Sequence, residues 1–278
     1  YPLHIITFII MFALDLRLEK YCEPEAAIAN LLLLQSWVPA DSFYFVANSP
    51  SWFLCDIMFF YVVFSSLNKL ILRADNRRLF SISLVVFLLY VCLMVVLPSS
   101  LVNPILYANP LTRLLDFIIG IILFKLYISD KGIALKDKLV KKSSFVVSSM
   151  EFSLILLIVV TAIVYPHLQP RVRTVFIFWL SIPLTIFFFA LSDQSKGVVS
   201  RFLQGKTMLW LGNISFCLYI IHAPVLRIFN SISVQVGISD LTTIHFILFT
   251  TILILFSHLT NKFNMAFLSK IRNTNFFK

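Results

Sequence analysis

Glycine is scarce in this chain, six among 278 residues, and acidic residues are few, 13 Asp and Glu against 23 Lys and Arg. With so few glycine turns, and with apolar runs that are continuous rather than alternating, the pattern argues against an outer-membrane β-barrel. Charged residues make up only 13% of the chain, where a soluble domain carries about a quarter. The four cysteines, Cys22, Cys55, Cys92 and Cys217, stand at no metal-ligand spacing, and three lie in apolar runs. They read as small packing residues rather than as a disulfide framework or a zinc site. Nothing resembles a nucleotide-binding glycine loop. A signal peptide's basic region and cleavage site are also missing. The first apolar run starts at Tyr1 without flanking charges, as the interior of a longer protein would.

What is abundant is apolar. Hydrophobic residues reach 59%, the mean hydropathy is +0.92, and there are 29 Phe. This composition predicts an all-α, polytopic transmembrane helix bundle, a single domain over residues 1–278. Spans of about 20 apolar residues cross a bilayer. About eight are expected: Tyr1–Leu16, Ser51–Leu72, Leu79–Leu97, Leu111–Ile128, Phe145–Tyr165, Thr174–Leu191, Met208–Phe229 and Leu241–Asn261. Ala27–Trp37 is only half a span and reads as interfacial or re-entrant.

The net charge of +10 would suggest nucleic acid in a soluble protein. Here the cations sit in short loops, so no nucleic-acid partner is expected; the partner is membrane lipid. Seventeen of the 23 Lys and Arg fall on one face, and six, Arg17, Lys20, Arg113, Arg171, Arg173 and Arg227, on the other. Positive charge marks the cytoplasmic side, which predicts that both ends of this chain are cytoplasmic.

That orientation places four ionisable side chains in the outer third of the bundle. At about 1.5 Å per residue, Asp56 lies roughly 7 Å deep, Arg113 and Asp116 roughly 4–9 Å, and His222 roughly 10 Å. Isolated charges in a membrane are costly, so mutual pairing is expected. Arg113 and Asp116, spaced i, i+3, share a helix face. Pro224 has no N–H for the carbonyl of Ile220, four residues back, so a freed carbonyl and a kink are expected beside His222. Two readings stand side by side. One is an ion-pair network that locks helices together. The other is a polar pocket, open to the outside, in which His222 exchanges a proton. No ligand spacing repeats, so no metal site is expected. His167 reads as solvated, His245 and His258 as packed, and His4 as a possible substrate contact.

LLLLQSWVP at 31–39, NSPSWFLCDIMFFYVVF at 48–64, NPLTRLLDFIIGIILF at 109–124 and WLGNISFCLYIIHAPV at 210–225 together resemble segments of the acyltransferase-3 family of integral membrane O-acyltransferases. LLLLQSWVP at 31–39 and NSPSWFLCDIMFFYVVF at 48–64 are similar to its loop and following span, through Ser51, Trp52, Leu54, Phe60 and Tyr61. NPLTRLLDFIIGIILF at 109–124 matches with Arg113, Asp116, Phe117 and Gly120. WLGNISFCLYIIHAPV at 210–225 matches with Gly212, Ser215, Leu218, Tyr219, His222 and Pro224. YPLH at the start resembles the segment after the family's basic cytoplasmic stretch. Many members carry Glu where this chain has Ile57, one residue after Asp56. The resemblance implies an N-terminally truncated member, lacking the first one or two spans, which carry an Arg and a His for acyl transfer. It implies transfer of an acyl group, acetyl from acetyl-CoA as co-substrate, to a hydroxyl of a lipid-linked or cell-surface glycan at the bacterial plasma membrane. No bound cofactor is expected. Catalytic roles fall to His222, Arg113 and Asp116, and substrate-binding roles to Trp52, Asp56, Ser215 and Tyr219. A glycolipid transporter or a non-catalytic membrane partner remains the alternative.

Overall fold

The computed structural model describes residues 1–18, 22–175, 178–192, 197–235 and 243–273. Among these residues it is built from helices without strands: α1 (Pro2–Arg17), α2 (Pro24–Leu31), α3 (Asp41–Tyr44), α4 (Trp52–Arg73), α5 (Asn76–Val96), α6 (Pro110–Ile128), α7 (Asp130–Val140), α8 (Ser144–Val164), α9 (Pro170–Val175), α10 (Ser181–Leu191), α11 (Val198–Leu203), α12 (Lys206–Gln235) and α13 (Thr243–Asn273). Prolines open α1, α2 and α6 in the first turn, where a missing N–H costs nothing. Asp75, Asn109, Ser129 and Ser143 cap the starts of α5, α6, α7 and α8 by accepting from backbone N–H groups.

Among the described residues, five helical stretches are long and apolar enough to cross a membrane: Ser49–Arg73, Asn76–Val96, Ser144–His167, Lys206–Gln235 and Thr243–Lys270. The other three expected spans differ for identifiable reasons. α1 has 16 residues. α6 has 19 but carries Arg113, Asp116 and Lys125. The Thr174–Leu191 segment is interrupted: α9 ends at Val175, residues 176 and 177 lie outside the described residues, and α10 has 11 residues. Residues 241 and 242 of the last expected span also lie outside them. The half-span is confirmed as short. α2 ends at Leu31, Leu33 takes a left-handed conformation at φ 57°, and a 3₁₀ turn follows over Gln35–Trp37.

Many large apolar side chains face outward, among them Val62, 79% exposed, and Phe145, 81% exposed. Such contiguous apolar faces mark contact with lipid. The interior is correspondingly rich in buried polar side chains, among them His4, Asn30, Asn48, Asp56 and Glu151.

The chain divides into two compact units: Tyr1–Gln35, Asp41–Trp52 and Lys206–Lys278 in the first, Ser36–Ala40 and Phe53–Gly205 in the second. In the first, α12 packs on α13 and α1. Phe8, Met11 and Ala47 form its small apolar cluster. In the second, Val86, Tyr90, Val102, Leu106, Leu115 and Val175 make a core among α5, α6, α9 and a π-helical turn over Val102–Tyr107. Lys125 reaches back to donate to the carbonyls of Ile71, at 2.9 Å, Leu72 and Ala74, a cation at the C-terminal end of α4.

Candidate functional site

In the first unit, Pro224 lies inside α12, as expected, and cannot serve the carbonyl of Ile220. That carbonyl is not left free. Asn48 Nδ2 donates to it at 2.9 Å and to Thr7 Oγ1 at 3.0 Å. Asn48 is fully buried. A second amide, Asn30 Nδ2, donates to the Val46 carbonyl at 2.8 Å and to Ser51 Oγ at 3.0 Å, and Gln35 Nε2 donates to the same hydroxyl at 3.2 Å. His4 Nε2 meets the Asn30 carbonyl at 2.9 Å, so His4 is a buried tie between α1 and α2. The loop over residues 45–51 is therefore stitched to α1, α2 and α12. Ala47, at φ 52°, makes the turn that brings Asn48 inward.

His222 lies between Ile220 and Pro224 on α12, two residues from each. Its Nδ1 meets the Tyr219 carbonyl at 2.5 Å. A carbonyl only accepts, so Nδ1 carries the proton, and in the neutral ring Nε2 holds a lone pair. Tyr219 is held in turn, its hydroxyl donating to the Pro50 carbonyl at 3.1 Å. His222 lines a cavity of about 610 Å³ together with Asp15, Asp41, Ser42, Arg227 and Asn230. Arg227 Nη2 pairs with Asp15 Oδ1 at 2.5 Å, with both side chains largely sheltered. Asp41 accepts from the Tyr44 hydroxyl. Burial, and then that bond to a carboxylate, push the Tyr44 phenol above its ordinary range. The acidic groups of the cavity are thus Asp15, Glu23 and Asp41, none of which the sequence singled out.

In the second unit, α6 begins at Pro110, and its first turns present Arg113 and Asp116 as the spacing predicts. Arg113 Nη1 donates to Asp116 Oδ2 at 2.9 Å, and Nε to the Tyr107 carbonyl at 2.7 Å. The guanidinium lies over the Tyr107 ring, 5.4 Å from its centre. The second oxygen of Asp116 accepts from Trp179 Nε1 at 2.8 Å. Trp179 meets Tyr90 edge-on, and the Tyr90 hydroxyl donates to the Thr112 carbonyl. Asp116 therefore orients Arg113. The π-helical turn supplies the ring and carbonyl that complete the clamp.

Among the described residues of the second unit, an ion pair forms between Arg113 and Asp116. Asp56 is fully buried, and neither carboxyl oxygen has a hydrogen-bond partner among the described residues. Arg113 spends its bonds on its own helix and the preceding turn instead. His222 bonds a backbone carbonyl rather than an acid. Ser215 is exposed and returns its hydroxyl to the Gly212 carbonyl at 2.8 Å. Trp52 opens α4, half-buried. His258 Nδ1 accepts from Trp210, and His245 packs against Phe229. Among the described residues there is no group of three or more His, Cys, Asp or Glu side chains that could hold a metal ion.

Comparison with known proteins adds a second line of observation. Over residues 1–260 the chain matches a family model described as an acyltransferase domain. It is similar to a curated relative, Acyltransferase MdmB of Streptomyces mycarofaciens, with 25% identity over 244 residues, 82% of this chain and 59% of the relative. The chain thus spans less than two thirds of that relative's length. No solved structure matches it.

Proposed function

Because the chain belongs to the acyltransferase-3 family, we propose that it moves an acyl group, acetyl from acetyl-CoA, onto a hydroxyl of a lipid-linked or cell-surface polysaccharide at the bacterial plasma membrane. Both ends of this chain are cytoplasmic in this reading, supported by the seventeen-to-six division of basic residues.

The observation that carries the chemistry is the single available nitrogen of His222. Its Nδ1 is tied to the Tyr219 carbonyl, and the ring lines a polar cavity of about 610 Å³. In the proposed step Nε2 takes the proton of the acceptor hydroxyl. The hydroxyl oxygen then bonds to the thioester carbonyl carbon, the carbon–sulfur bond breaks, and the CoA thiolate leaves and recovers a proton. The products are an ester and free CoA thiol. Tyr219, which holds Nδ1 through its carbonyl, is a positioning residue. Trp52, Ser215 and Asp56 stay as proposed acceptor contacts from the family resemblance. Arg113 and Asp116, paired with each other at 2.9 Å, stay as proposed catalytic residues from the family resemblance.

Substitution of His222 tests the step. His222→Gln keeps a hydrogen-bonding side chain but cannot take a proton at neutral pH. In the intact enzyme, both His222→Gln and His222→Ala should lower kcat by about 10²–10⁴-fold, with membrane abundance unchanged. A Gln variant as active as wild type would reduce His222 to packing or positioning.

A further inference from the structure

The second unit contains a cavity of its own, separate in composition from the one that His222 lines. It measures about 370 Å³ and lies among α6, α9 and α10. Its lining includes two cations, Arg113 and Arg173, and one carboxylate, Asp116. Arg113 answers Asp116 at 2.9 Å, and Trp179 covers the other carboxylate oxygen. Arg173 has no such answer. Its guanidinium lies over the Tyr165 ring, 5.5 Å from the centre, and among the described residues it makes no ion pair. The cavity therefore holds one positive charge in excess, half-buried and within an apolar surround that includes Phe178 and Ile182.

Arg173 is also firmly placed. Two residues earlier, Arg171 Nη1 donates to the Met94 carbonyl at 3.1 Å and to that of Val95 at 3.4 Å. Arg171 Nη2 donates to Ser99 Oγ at 3.3 Å. Arg171 is used to fasten α9 to the end of α5, and Arg173 is left to face the cavity. A guanidinium resting on an aromatic ring is pre-organised, presents its donors in a plane, and suits a phosphate or carboxylate.

We infer that this cavity is an anion-binding subsite that takes a phosphate or carboxylate group, with Arg173 as its main cation and the Tyr107, Tyr165 and Trp179 rings as its walls. As part of the acyltransferase reading, on which this role rests, the anion belongs to the acceptor, an acidic sugar or a sugar phosphate. The phosphate of a membrane lipid has the same chemistry.

Binding to the intact chain in phosphatidylcholine nanodiscs tests this without any acyl transfer. The probes are a hexose 1-phosphate, a hexuronate and the matching neutral hexose, read by tryptophan emission and by thermal stabilisation, which rises with ligand concentration over Kd. The anions should bind at least ten times more tightly than the neutral hexose, and salt should weaken them. Arg173→Gln should lose at least tenfold for the anions and nothing for the neutral sugar. Arg173→Lys should retain part of the binding, and it stands in if the Gln variant does not fold. Adding phosphatidylglycerol separates the sources. If it displaces the hexose 1-phosphate from wild type, the lipid headgroup is an occupant; if not, the subsite prefers the glycan anion. Equal binding of charged and neutral hexoses, or anion binding unchanged in folded Arg173→Gln and Arg173→Lys, would overturn the proposal. Anion binding in a protein that never transfers acetyl would keep the subsite and reject the transfer reading.

Discussion

Pro224 removes a hydrogen-bond donor from α12, and Asn48 supplies one from a loop 172 residues away in sequence. The two residues form a compensating pair, which a double-mutant cycle can expose. Asn48→Ala should leave a buried carbonyl unsatisfied and lower stability by about 1–3 kcal/mol, read as thermal unfolding in detergent. Pro224→Ala restores the helix N–H, so in that background Asn48→Ala should cost less. Equal costs in both backgrounds would separate the two residues. The proline, the histidine and the freed carbonyl were legible in the sequence because they depend on spacing within one helix. Asn48 was not, because nothing local says which of several loop amides will reach a distant carbonyl. The same distinction explains the second unit. Arg113 and Asp116 were legible at i, i+3, whereas Trp179 arrives from 63 residues away. Asp56 went unpaired because equal depth in a membrane fixes only one coordinate of three.

At the element scale, the breaks carry as much information as the spans. α11 has six residues, and its start is satisfied by a carboxylate from α8. Glu151 is fully buried and accepts from the N–H groups of Val199 at 2.9 Å and Ser200 at 3.2 Å, and from the Ser200 hydroxyl. A negative group at a helix N-terminus answers both its free donors and its dipole. Gly197 stands where a Cβ would run into the Glu151 carboxylate. Gly197→Ala should therefore destabilise the protein by about 1–3 kcal/mol. Removing the obstruction with Glu151→Ala in the same chain should make the alanine at 197 harmless while the uncapped helix stays weak. A Gly197→Ala protein that melts like wild type would contradict this packing. Hydropathy marked where apolar helices run, and it also marked α2 as too short to span. It missed α7, an 11-residue helix inside what reads as a basic loop, because a polar helix leaves no trace in an apolar count.

For the whole molecule, the division of basic residues predicts an orientation that labelling can test. Cysteines placed in 129–144 should be shielded from an impermeant thiol reagent outside intact cells, and those placed at 99–108 should react. The opposite pattern would reverse the proposed sidedness and move the acceptor side to the cytoplasm. The central claim is that the protein transfers an acyl group rather than carrying a glycolipid across the bilayer. Acetyl-CoA labelled in its acetyl group, supplied to membranes that contain the intact protein and its glycan, tests this most directly. Label should appear on the glycan as a base-labile ester, with one CoA thiol released per ester formed. Glycolipid that crosses the membrane while no label reaches any glycan would contradict it.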